Sequence, residues 1–287
     1  MRLGIFSNVI QAETIEEWAR KHREAGFESV MLWPTGFTGV KQGGYATMYG
    51  ELMSKQEAER IKKAFDAEGL SVCALASYTN YMHFDPEKRR ANLERLKRTF
   101  EMAHWVGTNV VATETGTLSK DGDWSPHGKN YTEATWSEFL AVNEELVEAA
   151  RREGVVLALE PFTVNIVSDV ERALRIVRHF NSPHLKLILD PVNWLHPGNL
   201  SAMDDLLKMG VPLLLEHCVI AHAKDVRPGK NPFSLDHPGP GRGWLNYSLY
   251  LRLLVEYGFK GDLVLEHLGP EDVEFALAHI RRHWPEK

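Results

Sequence analysis

The chain has 287 residues, of which 44% are hydrophobic and 25% are charged, and its formal net charge at pH 7 is −6. This composition is typical of a soluble globular protein, and the length suits one large α/β barrel of roughly 250 residues with insertions. The acidic charge argues against nucleic-acid binding, which depends on clustered Lys and Arg, and no apolar run approaches the roughly 18 residues of a membrane span.

Strand-like and helix-like patterns alternate from the start of the chain to its end. Eight β-prone apolar runs are predicted as strands, over 3–7, 27–33, 70–77, 109–115, 155–160, 185–190, 219–225 and 262–266. Helices are predicted between them, five with capping residues at Thr14, Ser54, Asp85, Thr132 and Ser168, and three over 201–217, 245–257 and 270–283. Strict alternation predicts a closed parallel (β/α)8 TIM barrel that forms a single domain over 1–287. A doubly wound open sheet is the alternative, and no Gly-rich phosphate-binding fingerprint follows a strand to favour it.

The predicted loops are long on one face of this barrel. The connections after the second, fourth and seventh strands, 34–53, 116–131 and 225–243, are rich in Gly, Pro and aromatic residues. Long loops on one face of a compact barrel usually build the functional site. In a TIM barrel that face lies at the carboxyl ends of the strands.

Four side chains of metal-binding type stand at or near the ends of the last four strands: Glu160, Asp190, His222 and Glu266. They are 30, 32 and 44 residues apart, so that each interval holds one strand–helix unit. Alternation along the strands predicts that all four point into the barrel mouth. Three carboxylates packed together resist ionisation unless a cation neutralises them. One divalent metal ion, Mn²⁺, Mg²⁺, Co²⁺ or Zn²⁺, suits these ligands. Taken singly, an acidic residue at a strand end is more often a helix cap or a solvated turn residue, and His222 alone is compatible with a core histidine.

A family resemblance rests on several short motifs, which are ALEPF at 158–162, LDPVNW at 189–194, HAKD at 222–225, PGPG at 238–241, LEH at 265–267, and the helix and strand at 85–111. In this order they resemble the xylose-isomerase-like TIM barrel superfamily, the sugar phosphate isomerase/epimerase group. The resemblance implies that Glu160, Asp190, His222 and Glu266 bind one metal ion, and that Glu160 and Glu266 also form a catalytic acid/base pair. It further implies isomerisation or epimerisation of a sugar through a metal-bound ene-diolate.

Other residues are predicted to contact the substrate. Lys224 is two residues after His222 and therefore lies on the same face of the seventh strand. Arg227 and Arg242 in the seventh loop are candidate anion ligands, and the alternative is that both are solvated surface arginines. Asp225 has the opposite parity and is expected to cap the following loop, and His267 is expected to point away from the site. Aromatic residues near strand ends suit the C–H faces of a polyol-like ligand; they are Phe6, Trp33, Phe37, Tyr45, Tyr78, Trp124, Trp194 and Phe233.

Alternative functions share the same residues. Asn193 stands where ketose 3-epimerases that resemble this chain usually carry histidine, which favours a phosphorylated or acidic sugar over a free ketose. An inosose-type dehydratase would expel a hydroxyl group through the same intermediate. An endonuclease-IV-like nuclease needs additional histidines, one of which Asn193 replaces, so this function is disfavoured.

The remaining expectations concern cellular context. Cys73 and Cys218 lie in apolar segments and are predicted as buried free thiols of a reducing compartment. The start of the chain has no signal-peptide pattern. We therefore expect a cytoplasmic protein with a small-molecule carbohydrate as its partner. A homo-oligomer is common among similar barrels, and a monomer is equally compatible with the sequence.

Overall fold

The computed structural model describes residues 1–39 and 50–285. Its barrel strands are β1 (Arg2–Phe6), β2 (Ser29–Leu32), β3 (Ser71–Ala76), β4 (Val110–Glu114), β5 (Val156–Glu160), β6 (Leu185–Leu189), β7 (Cys218–Ala223) and β10 (Asp262–Leu265). Between the last two, the short strands β8 (Arg227–Pro228) and β9 (Leu235–Asp236) form an antiparallel hairpin. The eight parallel strands close into a barrel in the order β1-β10-β7-β6-β5-β4-β3-β2.

A helix follows each barrel strand in the described residues. The helices are α1 (Ile15–Ala25), α2 (Lys55–Ala67), α3 (Pro86–Trp105), α4 (Glu133–Glu153), α5 (Val170–Phe180), α6 (Met203–Leu214), α7 (Tyr247–Glu256) and α8 (Val273–Arg282). The predicted (β/α)8 TIM barrel is therefore confirmed. That one domain extends over all of 1–287 stays a prediction.

Four of the five predicted helix starts carry the expected side-chain caps. The side chains of Thr14, Ser54, Asp85 and Thr132 each accept a hydrogen bond from a backbone N–H in the first turn. The prediction of Ser168 as the cap of α5 is wrong. Asp169 takes this role by accepting from the N–H of Arg172, while the Ser168 hydroxyl donates to the Asp169 carboxylate. A carboxylate is the stronger acceptor at a helix N-terminus because it also complements the helix dipole.

Three predicted helices are shorter than the sequence pattern. The helix predicted over 270–283 is α-helical only over α8, after a 3-10 turn at Pro270–Asp272. The α-helical part of 201–217 is limited to α6, which is flanked by 3-10 turns over Leu200–Ala202 and Leu215–His217. The helix predicted over 245–257 begins only at Tyr247, because the Asn246 side chain caps the N–H of Leu249. The apolar periodicity of the sequence continues past the observed ends of these helices. A prediction from periodicity alone therefore makes them one to a few residues too long.

The strands are buried on both faces, as expected for a parallel barrel surrounded by helices. The register aligns Glu114 of β4 with Glu160 of β5, and His222 of β7 with Val264 of β10. Cys73 is buried, Cys218 is partly buried, and both are free thiols. Among the described helices, none combines the length and apolar character needed to cross a membrane.

Candidate metal centre

The four side chains predicted as metal ligands converge at the carboxyl end of the barrel. One ligand atom from each of Glu160, Asp190, His222 and Glu266 lies within 4.8 Å of the others, and all four residues are buried. The Nδ1 atom of His222 is 3.3 Å from Oε1 of Glu160 and 3.4 Å from Oε1 of Glu266. Because β7 lies between β10 on one side and β6 and β5 on the other, the two glutamates approach the histidine from its two sides.

Several buried atoms of this cluster make no hydrogen bond to the described residues. They are Oδ2 of Asp190, both ring nitrogens of His222 and Oε1 of Glu266. The second oxygen of Asp190, Oδ1, accepts the backbone N–H of Val192 at 3.0 Å, which turns Oδ2 toward the cluster. A buried polar atom without a partner costs about 1–3 kcal/mol. Carboxylate oxygens and imidazole nitrogens are ligands for divalent cations, so this donor set fits one such ion.

Lys224 brings a positive charge to the same carboxylates. Its Nζ is 2.6 Å from Oδ2 of Asp190 and 2.9 Å from Oε1 of Glu266. Both distances are those of ion pairs. The angles between Lys224 Nζ and the two oxygens do not meet those of a hydrogen bond, so Asp190 Oδ2 and Glu266 Oε1 have no hydrogen-bond partner among the described residues. Burial lowers the pKa of Lys224, but the two carboxylates outweigh it and hold the pKa well above the usual value. Burial raises the pKa of Glu266, but Lys224 and His222 hold it well below the usual value.

Glu160 is fixed by two neutral hydrogen-bond donors. Asn193 Nδ2 donates to its Oε1 at 2.7 Å, and the Tyr78 hydroxyl donates to its Oε2. Burial and the nearby Glu160 charge raise the pKa of Tyr78 well above the usual value, so that the phenol remains a proton donor. The orientation of Glu160 is therefore set by β5, the loop after β3 and the turn after β6 together.

The end of β7 is held by helix α7 and by Asp225. The hydroxyls of Tyr250 and Tyr247 donate to the backbone carbonyls of His222 and Lys224 at 3.0 and 2.9 Å. The Asp225 carboxylate accepts the N–H groups of Val226, Gly241 and Leu245. Asp225 thus organises the seventh loop, as its parity predicts.

A cavity of about 710 Å³ opens above the cluster, a size common for small-molecule sites. Of the residues predicted to contact substrate, Trp33, Asn193 and Lys224 line it. Its aromatic walls come from Phe6, Trp33, Tyr78, Trp124 and Phe162. The other predicted aromatics lie elsewhere, since Phe37 packs on Trp18, Trp194 is buried and Phe233 is 88% exposed. Tyr45, with part of the predicted loop 34–53, lies outside the described residues.

Arg227 and Arg242 are not among the described residues that line the cavity. Arg227 pairs with Asp236 across the β8–β9 hairpin at 3.6 Å. Arg242 pairs with Asp272 at 2.6 Å, and its guanidinium lies over the ring of Phe275. Both side chains are about half exposed, at 50% and 47%. In this structure they hold surface loops together.

His267 differs from its expected orientation. It lines the cavity, because its backbone adopts a left-handed conformation with φ of 58°. Strand alternation ends at Leu265, the last residue of β10, so parity does not extend to His267. Its Nδ1 lies 2.9 Å from the backbone carbonyl of His237, which joins the loops before and after β10.

Two titratable lining residues, Glu114 and His237, were missed by sequence analysis. Glu114 ends β4 and thus carried the same signal as the four ligands, namely a carboxylate at the end of a strand. Burial, with the neighbouring Glu160 charge, raises the pKa of Glu114 to about 8. His237 carried no signal within a strand pattern. Burial, followed by the charge of Lys224, lowers the pKa of His237 to about 4, so that its imidazole is neutral at pH 7.

Fold and site together define a TIM barrel with a candidate metal centre at the carboxyl ends of its strands. Residues 19–283 match the family model of the xylose isomerase-like TIM barrel. The chain therefore belongs to this family, as its motifs indicate.

The comparisons with individual proteins give further likenesses. L-ribulose-5-phosphate 3-epimerase UlaE of Escherichia coli O1:K1 / APEC is 28% identical over 201 residues, which is 69% of this chain and 63% of that protein. The matched part thus spans less than two thirds of the curated relative. The structure of 3-keto-D-glucoside 4-epimerase, YcjR, from E. coli aligns with a TM-score of 0.72 at 18% identity, covering 98% of this chain and 99% of that one. The IOLI protein with a binding zinc atom aligns with a TM-score of 0.67 at 17% identity, covering 99% and 96%. At these identities, the structural likenesses establish the fold.

Proposed function

We propose that the protein is a divalent-metal-dependent sugar isomerase or epimerase that moves a proton at a carbon next to a carbonyl group. The observation that carries this proposal is that Glu160 and Glu266 line one cavity and each has a carboxylate oxygen within 3.3–3.4 Å of Nδ1 of His222. The curated relative UlaE is a sugar epimerase and the structural neighbour YcjR is another. A zinc atom in the IOLI protein supports a metal at such a site.

In this proposal the two glutamates exchange protons with the substrate. One carboxylate removes the proton from carbon, and the other returns a proton, to the opposite face in an epimerisation. A divalent ion held by Glu160, Asp190, His222 and Glu266 would polarise the substrate carbonyl and stabilise negative charge on its oxygen. Tyr78 and Asn193 keep Glu160 in one orientation, which aligns its carboxylate with the substrate before reaction.

The walls of the cavity support a carbohydrate ligand. Phe6, Trp33 and Tyr78 pack against one another with ring centroids 5.4–6.3 Å apart. Trp33 Nε1 donates to Asn8 Oδ1 at 3.0 Å, so both residues are fixed at the cavity. A rigid apolar wall facing carboxylates, Lys224 and Asn193 suits a molecule with C–H faces and hydroxyl groups.

Solvent deuterium exchange followed by NMR tests this function. Protein stripped with chelator and reloaded with diamagnetic Mg²⁺ or Zn²⁺ is incubated in D₂O with ketoses, ketose phosphates, inososes and hydroxypyruvate. We expect metal-dependent exchange at a carbon next to the carbonyl in one of these classes, with a product that differs in composition from the substrate only by deuterium in place of the exchanged hydrogen. Loss of water from the product would instead identify a dehydratase.

Variants locate the exchange at the proposed residues. Glu160→Gln and Glu266→Gln are each expected to abolish exchange while preserving the fold. The exposed Glu144 on α4 offers the same chemical change away from the cavity, and Glu144→Gln should retain full activity. Full exchange by the Glu160 variant, or none by metal-loaded wild type with any compound, contradicts the proposal.

A further inference from the structure

A pair of histidines lies at the carboxyl end of helix α8. His279 is in the last turn of the helix and His283 is its C-cap, and the backbone N–H of His283 donates to the carbonyl of His279 at 3.3 Å. Side chains four residues apart on a helix lie on the same face. The two ring centroids are 4.6 Å apart, with an angle of 54° between the ring planes. Neither histidine is among the described residues that line the cavity.

The ring of His279 is fixed by its packing. It meets the ring of Tyr247 on α7 at 87°, with centroids 5.0 Å apart. It also lies so close to Gly241 in the seventh loop that a Cβ atom on this glycine would come within 2.7 Å of the imidazole Cγ. Its Nε2 atom is buried and makes no hydrogen bond to the described residues. Buried polar atoms in native proteins usually have a partner, so this nitrogen indicates a ligand at the site.

The ring of His283 is fixed from the neighbouring helix. Its Nδ1 lies 2.7 Å from the hydroxyl oxygen of Ser248 on α7. With the proton on Nδ1 and donated to this oxygen, Nε2 of the neutral imidazole carries the lone pair. Histidines that bind metals usually hold their other ring N–H in this way. Ser248 thus orients His283 as a metal ligand would be oriented.

The spacing of the two rings is that of neighbouring ligands on one metal ion. An imidazole nitrogen binds Zn²⁺ at about 2.0–2.1 Å, which puts the ion about 3.2 Å from the centroid of the ring. For centroids 4.6 Å apart, the two ligand directions then meet at about 90°. Ligand angles of this size occur between neighbouring positions of octahedral sites, and tetrahedral angles are only somewhat wider.

The chemistry of this pair differs from that of the cluster at the barrel mouth. Imidazole nitrogen suits Zn²⁺, Ni²⁺ and Cu²⁺, whereas Mg²⁺ prefers carboxylate and water oxygens. Metals bind the neutral form of histidine. Burial, followed by the neighbouring His283, lowers the pKa of His279, which favours this form at neutral pH. Both histidines are partly exposed, so an ion reaches them from solvent and water completes its coordination.

We propose that His279 and His283 form a second metal site, at the carboxyl end of α8, which takes Zn²⁺, Ni²⁺ or Cu²⁺ in preference to Mg²⁺. This site is independent of the proposed function. An ion there stabilises the packing of α8 on its neighbours, because Ser248 of α7 holds one ligand and Gly241 of the seventh loop packs against the other.

Equilibrium dialysis followed by elemental analysis tests the site. Metal-free protein is dialysed against Zn²⁺, and in a parallel series against Mg²⁺. We expect His279→Asn and His283→Asn each to bind one Zn²⁺ ion fewer per chain than wild type, with unchanged Mg²⁺ binding. His179→Asn, at an exposed position on α5, should bind as much Zn²⁺ as wild type.

A second series separates this site from the cluster at the barrel mouth. In the Asp190→Asn background, which weakens the cluster, His283→Asn should still remove one Zn²⁺ ion per chain. Ser248→Ala leaves both ligands in place but frees the ring of His283. It is expected to weaken Zn²⁺ binding at this site without changing Mg²⁺ binding.

The outcomes are distinct from those of the proposed function. Equal Zn²⁺ binding by wild type and the histidine variants overturns the inference, and so does an equal loss in the His179 variant, which would indicate binding by surface histidines in general. If His279→Asn does not fold because of its packing, the partly exposed His283 carries the test. Loss of the ion at α8 in these variants, with no deuterium exchange of any sugar by wild type, would contradict the proposed function and leave this inference standing.

Discussion

Asn193 donates a hydrogen bond of 2.7 Å to Oε1 of Glu160 from the turn three residues after Asp190. That oxygen is also the one 3.3 Å from Nδ1 of His222. The amide therefore orients the carboxylate oxygen that faces the candidate metal centre. It does so without carrying a charge of its own, which a histidine at the same position would do when protonated.

Replacing Asn193 by alanine should release this carboxylate. Loss of a hydrogen bond that orients a metal ligand typically lowers metal affinity or activity by about 10- to 100-fold. We expect Asn193→Ala to lose activity in the exchange assay or Mg²⁺ affinity in calorimetry by about this factor. Asn231→Ala in the exposed β8–β9 hairpin is the matched control. Wild-type values for both quantities in the Asn193 variant would show that Glu160 is oriented without it.

Lys224 should stabilise the metal-free protein. Its side chain is buried against Asp190 and Glu266 at 2.6 and 2.9 Å. Removing one partner of a buried ion pair leaves uncompensated charge and costs about 3–5 kcal/mol. In urea unfolding with chelator present, we expect Lys224→Met to lower the free energy of unfolding by this amount.

The control for this experiment is Lys208→Met, since the exposed pair between Lys208 and Asp205 is worth little. That variant should stay within about 0.5 kcal/mol of wild type. Mg²⁺ is expected to restore part of the stability that the Lys224 variant loses, because it neutralises the same carboxylates. Equal stability of the two variants under chelation would contradict a structural role of Lys224.

Divalent cations should raise the melting temperature. A ligand at 100 times its dissociation constant adds about 2.7 kcal/mol to folding, which corresponds to roughly 5 °C for a protein of this size. Differential scanning fluorimetry with Mg²⁺ or Zn²⁺ against chelator measures this shift. Asp190→Asn should reduce the shift, whereas Asp236→Asn in the surface hairpin should retain it. An identical shift in both variants would place cation binding outside the cluster.

His22 should make folding stability depend on pH. Its ring is fully buried on α1, with Nδ1 2.8 Å from the Trp18 carbonyl. Burial lowers the pKa of His22 to about 4 from 6.5, so the unfolded chain takes up this proton at a higher pH than the folded protein. The His22 contribution to stability is therefore fully present above pH 6.5 and declines as the pH falls toward 4.

Urea unfolding at pH 7 and pH 5 isolates this effect. Wild type should lose about 2 kcal/mol more than His22→Gln over this range, at about 1.4 kcal/mol per pH unit below 6.5. His179→Gln, at an exposed position on α5, should lose as much as wild type. Parallel losses in wild type and the His22 variant would mean that His22 is protonated in the folded state at pH 5.

Much of the fold and of the candidate site was predictable from the sequence. The strands ending near Glu160, Asp190, His222 and Glu266 carry local apolar patterns, and the spacing between them fits one helix each. Because the carboxyl ends of parallel barrel strands meet at one face, these patterns sufficed to predict that the four side chains converge. Their roles in metal binding and proton transfer stay predictions.

Only the tertiary structure decided which other residues share the cavity. Arg227 and Arg242 belong to the loop expected at the site, but Asp236 and Asp272 draw them to the surface. Glu114 ended a strand like the four ligands, and its place beside Glu160 and Trp124 emerged only from the register of β4 and β5. Sequence patterns specify which way a residue faces within its own strand or helix. Contacts between loops that leave different strands depend on how the barrel closes, and no local periodicity encodes them.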